Sequence, residues 1–214
     1  MQSLIESSVY TRQASHDYRR EADHRIANSL QIVSALVRQR ARSGAIADPH
    51  TFLMEIADRI DTVGKLHLFL ARSTTETVQL RSYLKEICDR LTGALAYGAT
   101  KYALYCPENC PMAPKTALAL ALIVAELISN SLKYAHPSGL PTAFKLLCSR
   151  AGETGLKVLY EDDGVGFPED FDMSASGHMG MRLIELLSQS VAGTCNWHSD
   201  PLGIRFEIAI ADIN

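Results

Sequence analysis

Three short stretches carry side chains that could do chemistry. Glu126 and Asn130 are four residues apart, and Lys133 follows three later. On a helix that spacing sets all three along one face. The residues around them, ALALALIVAELI, are almost all apolar, so the face lies close to an interior. There an acid and an amide need partners. A hydrogen-bond network at the helix end would supply them, and so would a ligand or metal. An asparagine oxygen with phosphate oxygens and water is ordinary company for Mg2+. The second stretch, Asp162-Asp163-Gly164-Val165-Gly166-Phe167-Pro168, directly follows LKVLYE. A carboxylate at a strand end can accept from an exocyclic amine such as that of adenine, and glycines beside it let backbone approach a flat base. The same letters also suit a tight turn. The third, Ser176-Gly177-His178-Met179-Gly180, opens a helical pattern. Backbone N–H groups at a helix N-terminus bind phosphate when glycines let the anion close, or they simply cap a loop.

A histidine adds a fourth candidate. From Asp17 to Arg42 there is no Pro or Gly, and Ile26, Leu30, Val33 and Val37 are spaced 4, 3, 4. At about 100° per residue, with His24 at zero, Asn28 falls near 40° and the apolar stripe near 210°. His24 therefore points away from the stripe with Asn28 one turn on, either as a solvated face or as an accessible nucleophile. His16 and His67 rest on the same bare evidence, and His67 occupies a stripe position.

The elements that must position these residues are legible in outline. Ser43-Gly44 stops the first helix, and Asp48-Pro49 opens a second with Asp as N-cap and Pro at the first helical position. Leu53, Ile56, Ile60, Val63, His67 and Leu70 give that second helix heptad-like spacing. Two helices bury two stripes poorly, so a homodimeric four-helix bundle is the simplest closure. Leu80, Leu84, Ile87, Leu91 and Leu95 mark a further helix, and Pro114 starts a long one that ends at His136-Pro137. Lys101–Cys106, Thr142–Ser149, Leu156–Glu161, Thr194–His198 and Ile204–Ala209 read as strands, and Met179–Val191 as a last helix. Helices and a mostly antiparallel sheet segregate into two layers, which is α+β. Residues 1–76 form the hairpin and 77–214 the sandwich.

Composition excludes several classes. At 214 residues, about 1.4 typical domains, the chain has a formal charge of −3, against a basic nucleic-acid binder. Its 47% hydrophobic content excludes wholesale disorder. Five scattered cysteines with no CxxC suggest a reduced, cytoplasmic setting. The run Ala117–Ala125 is short of the ~20 residues a bilayer span needs, and the N-terminus shows no leader pattern, so neither membrane nor export is expected.

The order of the stretches matters: amide-bearing helix, strand with DxGxG, short loop, GxxG with helix. This series resembles the adenine-nucleotide site shared by the gyrase, chaperone, histidine-kinase and mismatch-repair ATPases. ELISNSLKYAHP is similar to the N box of sensor histidine kinases, EDDGVGFPED to their first glycine box, and SGHMGMRLIELL to their second. DHRIANSLQIVSALVRQRAR resembles the H-R-x-x-N-x-L-Q phosphoacceptor segment of the HWE and second-HisKA types, and KLHLFLARS the second helix of that dimerisation domain. The N box lacks the residues that name the HWE branch, so the second-HisKA branch fits better.

The resemblance implies roles. His24 would be the phosphoacceptor, with Asn28 beside it positioning water or an incoming aspartate. Glu126 would orient water or assist the proton. Asn130 would hold Mg2+ on the phosphates of ATP, and Lys133 would reach phosphate. Asp162 would accept from the adenine amine, with Gly164 and Gly166 shaping its pocket. Gly177 and Gly180 would flank a lid and donate N–H groups to phosphate. The implied activity is autophosphorylation with Mg-ATP and transfer to a response-regulator aspartate, from a homodimer without nucleic-acid or membrane contacts. The sequence departs from the pattern at His178-Met179, in a short Gly166–Gly177 stretch, and at Gly203-Ile204, where many relatives have Thr after the Gly. Two alternatives stay open: a phosphotransfer or phosphatase-type adaptor with a degenerate ATP site, and an anti-sigma-type serine kinase.

Overall fold

The computed structural model describes residues 27, 30–31, 33–35, 37–38, 41, 48–72, 77–95, 100–172 and 179–214. His16, His24, Asn28, Gly177 and His178, and the side chain of His67, lie outside the described residues. The described residues between 27 and 41 are helical. Helix α1 (Pro49–Arg72) begins at the expected cap, where the His50 N–H donates to Asp48 Oδ1 at 3.0 Å. Helix α2 (Leu80–Leu95) buries Leu80, Leu84 and Ile87. Helix α3 (Pro114–Tyr134) has Pro at its start, as the sequence predicts.

The sheet is built from β2 (Lys101–Tyr105), β4 (Ala143–Ala151), β5 (Gly155–Asp162), β6 (Gly193–Asp200) and β7 (Gly203–Ile210), in the order β2-β4-β5-β7-β6. All pairings are antiparallel except β2 with β4, which is parallel. The strand expected at Lys101–Cys106 ends one residue early, and the other four strands run slightly longer than expected. Two short strands, β1 (Val78–Gln79) and β3 (Pro111–Met112), pair with each other and were not anticipated. Two residues are too few to show a period.

Side chains alternate across the sheet. Phe144, Leu146 and Cys148 of β4, Leu156, Val158 and Tyr160 of β5, and Phe206, Ile208 and Ile210 of β7 are all buried. Tyr102, Phe144 and Tyr160 stack in sequence across three strands, with centroids 5.6 and 5.5 Å apart. Helices α2, α3 and α4 (Met179–Ser190) form the other layer. Helix α3 is long and apolar enough to cross a membrane, yet 78% of its most apolar window is buried inside the protein. It is the central core helix, packed against α1, α2 and α4. Val33, Val63 and Leu66 belong to the same hydrophobic cluster as the sandwich, and α1 packs on α3. Leu53, Met54, Ile60 and Leu68 remain exposed on α1.

Candidate functional site

The C-terminal end of α3, the end of β5 and the start of α4 converge on one cleft of about 700 Å3. That is within the range of small-ligand sites. Glu126, Asn130, Lys133, Asp162, Gly166 and Gly180 all line it. Six residues predicted from three separate stretches are thus brought together. Gly164 is buried in the loop just behind them. Glu126 is buried, Asn130 half-buried and Lys133 exposed, so the predicted face runs from interior to solvent along two turns of α3.

Asp162 is held by its surroundings rather than by its own flexibility. Its Oδ1 accepts from the Gly164 N–H at 3.1 Å and the Ile204 N–H at 3.0 Å. Its Oδ2 accepts from Ser131 Oγ at 2.5 Å, and Ser131 Oγ in turn accepts from the Tyr160 hydroxyl at 2.8 Å. An ionised carboxylate offers about four lone-pair positions. Three are used by these partners, which leaves one on Oδ2, and Asp162 lines the cleft. The Ile204 bond is made by backbone, so the missing Thr at that position does not weaken the cage around Asp162.

The glycines act by proximity and by conformation. A Cβ on Gly164 would stand 2.6 Å from Ala135 Cβ and 2.7 Å from its Cα. This closeness lets the Val165 N–H donate to the Ala135 carbonyl at 2.9 Å, tying the loop to the end of α3. Gly166 has φ of 74°, a left-handed value that side chains disfavour, and packs on the Asp200 carbonyl. Beyond it, the Phe167 N–H donates to Ser199 Oγ at 2.7 Å. The rings of Phe167 and Phe171 stack at 4.3 Å, and Trp197 lies 5.9 Å from Phe167. These three aromatics form an apolar wall suited to a flat ring.

Asp163, by contrast, is structural. Its Oδ1 accepts from the Ala143 N–H at 2.8 Å and contacts His136 Nε2 at 3.0 Å. At Gly180 a Cβ would fall 2.2 Å from Glu126 Oε1, so the start of α4 sits directly on the acid. The other side of Glu126 is met by α1. Arg59 of α1 donates from Nη2 to Glu126 Oε1 at 2.7 Å, with the two side chains only 13% and 9% exposed. Sequence reasoning passed over Arg59, Ser131 and Tyr160. Each partner lies 29 to 67 residues away in the chain, a separation no local pattern encodes.

A histidine-kinase family model of the second HisKA type matches residues 21–95. The sensor histidine kinase PdtaS of Mycobacterium tuberculosis is 25% identical over 168 residues, 78% of this chain and 34% of that protein. Blue-light-activated histidine kinase 2 of Erythrobacter litoralis is 26% identical over 182 residues, 82% of this chain and 51% of that protein. The chain is thus similar to sensor histidine kinases over most of its length. It spans between a third and about half of the length of these relatives. The solved histidine kinase domain of the Erythrobacter litoralis EL346 blue-light-activated kinase superposes with a TM-score of 0.64 at 24% identity, covering 91% of this chain and 94% of that one. That likeness shows that the two chains share a fold. The family match falls on the second-HisKA branch that the phosphoacceptor segment resembles, and it includes Arg59.

Among the described residues no group of three or more acids, histidines or cysteines could hold a metal by itself. The donor set at the cleft fits a divalent cation that arrives with oxygen ligands of its own. Asn130 would supply one oxygen, and phosphates and water would complete the six that Mg2+ requires.

Proposed function

We propose that this chain is the transmitter core of a two-component histidine kinase, which takes Mg-ATP into the cleft, phosphorylates His24 and passes the phosphoryl group to an aspartate of a response regulator. The observation that carries the reading is the cage around Asp162. It presents a fixed acceptor for an adenine amine, beside the Phe167–Trp197 wall, and Glu126, Asn130 and Lys133 line the same cleft. Asn130 would hold Mg2+, which when bound neutralises charge on the phosphates. Lys133 would pair with the phosphates, and Gly177 and Gly180 would offer backbone N–H groups.

A ring nitrogen of His24 would form the bond to the γ-phosphorus as the bond to the β,γ-bridging oxygen breaks and ADP leaves. Transfer of this kind rests mainly on alignment and charge neutralisation. Glu126 would receive the proton released from the other ring nitrogen, and Asn28 would position the aspartate or water that takes the group onward. The exposed Leu53, Met54, Ile60 and Leu68 of α1 suit cover by a second copy in a homodimeric four-helix bundle. Reliance on ATP and on a receiver-domain partner agrees with a cytoplasmic setting.

The test is incubation with γ-labelled ATP and Mg2+. An acid-labile, alkali-stable phosphoprotein is expected, abolished by His24→Ala and by Asn130→Ala. Equal labelling of His24→Ala would overturn the assignment.

A further inference from the structure

We propose that Arg59 is the residue through which the hairpin controls the site: its ion pair with Glu126 parks the acid, and phosphoryl transfer requires that pair to open. This inference rests on the kinase reading of the cleft.

Arg59 and Glu126 come from different helices, α1 and α3, 67 residues apart in the chain. Their contact is nearly dry, and it occupies the acid on both flanks. Glu126 Oε1 accepts from Arg59 Nη2 on one side and abuts Gly180 on the other. While the pair stands, the positive charge on Arg59 holds that oxygen and makes the carboxylate a poorer proton acceptor. An acid engaged in this way is in place but not in use.

The contact is also built to be reversible. Arg59 Nη1 reaches the Glu55 carbonyl at 3.4 Å and the Glu55 carboxylate at 3.6 Å, but Nε is buried without a hydrogen-bond partner among the described residues. A buried donor left unsatisfied is a standing cost that water or an anion would relieve. The docked arginine therefore keeps donor capacity that an anion in the cleft could use. Arg59 lines the same cleft as Asn130 and Lys133. A guanidinium binds phosphate oxygens through two parallel hydrogen bonds, so the triphosphate itself competes with Glu126 for this side chain. A nucleotide that draws Arg59 away would free Glu126 and loosen α1 from α3 together. Two states, each favoured by one partner of the same arginine, make a switch that ligand can bias.

Arg59→Gln keeps much of the side chain's bulk and removes its charge. With the full chain at ATP below its KM, where nucleotide has not yet opened the pair, it is expected to label His24 about tenfold faster than the parent, and the gap should narrow as ATP saturates. Backbone amides of α1 should also exchange with deuterium faster in the absence of nucleotide. Arg59→Lys, which keeps a charge without the planar fork, should fall between. Labelling that is unchanged or slower in Arg59→Gln removes the latch while leaving the kinase reading intact. No labelling in any form, Arg59→Gln included, removes the kinase reading and the latch with it. Should Arg59→Gln not fold, Glu126→Gln breaks the pair from the other side and is read by hydrogen exchange alone. Unaltered exchange along α1 would then overturn the proposal.

Discussion

Replacing Asp162 with asparagine separates recognition of the base from support of the fold. The side chain keeps its shape, and its oxygen can still accept from the Gly164 and Ile204 N–H groups at 3.1 and 3.0 Å. The new NH2 takes the place of Oδ2. It can donate to Ser131 Oγ, which already accepts from Tyr160 and has a second lone pair. Only the Ser131 proton loses its acceptor, a loss of about 1 kcal/mol. Asp162→Asn should therefore fold. Toward the cleft the change is sharper, because a donor now faces the adenine amine. Losing a hydrogen bond to a charged acceptor costs about 1.5–3 kcal/mol. That is roughly 10- to 150-fold in Kd. The same NH2 suits a base with a 6-oxo group. Calorimetric titration with non-hydrolysable ATP and its inosine counterpart should show the parent preferring adenine and Asp162→Asn losing or reversing that preference. If both nucleotides weaken equally, or Asp162→Asn binds ATP like the parent, Asp162 does not read the base.

Gly164→Ala would drive a Cβ to 2.6 Å from Ala135, where backbone cannot yield, and should lower stability by about 1–3 kcal/mol in denaturant titration. Tyr83 and Tyr160 hold their protons well above the ordinary tyrosine range, and burial is the main cause for each. Their neutral forms stabilise the fold fully below about pH 10, the unfolded value, and that stability is lost as pH rises toward the folded values, because only the unfolded chain ionises freely. A phenolate absorbance titration should leave at least two of the eight tyrosines silent until the protein unfolds; eight ionising together in a folded protein would contradict this. A hydrogen bond from Cys148 lowers the Cys106 thiol, while burial pushes Cys88 up to about 12. Peptide mapping after brief alkylation at mildly alkaline pH should find Cys106 modified ahead of Cys88.

Much of this molecule follows from short-range chemistry that neighbouring residues carry. Asp48 caps α1 two residues ahead of the N–H it binds, Pro114 starts α3, and alternation marks β4, β5 and β7. The approach of Glu126, Asn130 and Lys133 to one face needs only the helical period. The strand-end acid and its glycines are contiguous in the chain, which is why the elements and the cleft residues were legible before any coordinates. What tertiary structure alone decided is what those residues touch. Asp162 is fixed by Ser131 and Ile204, 31 and 42 residues away, and Glu126 is covered by Arg59 from 67 residues away. On the helical pattern Arg59 is one more charged residue between Ile56 and Ile60. Period and capping act over a few residues, whereas these bonds exist only once α1, α3 and β5 have packed around a shared core, and that packing makes a surface arginine the cover of a buried acid.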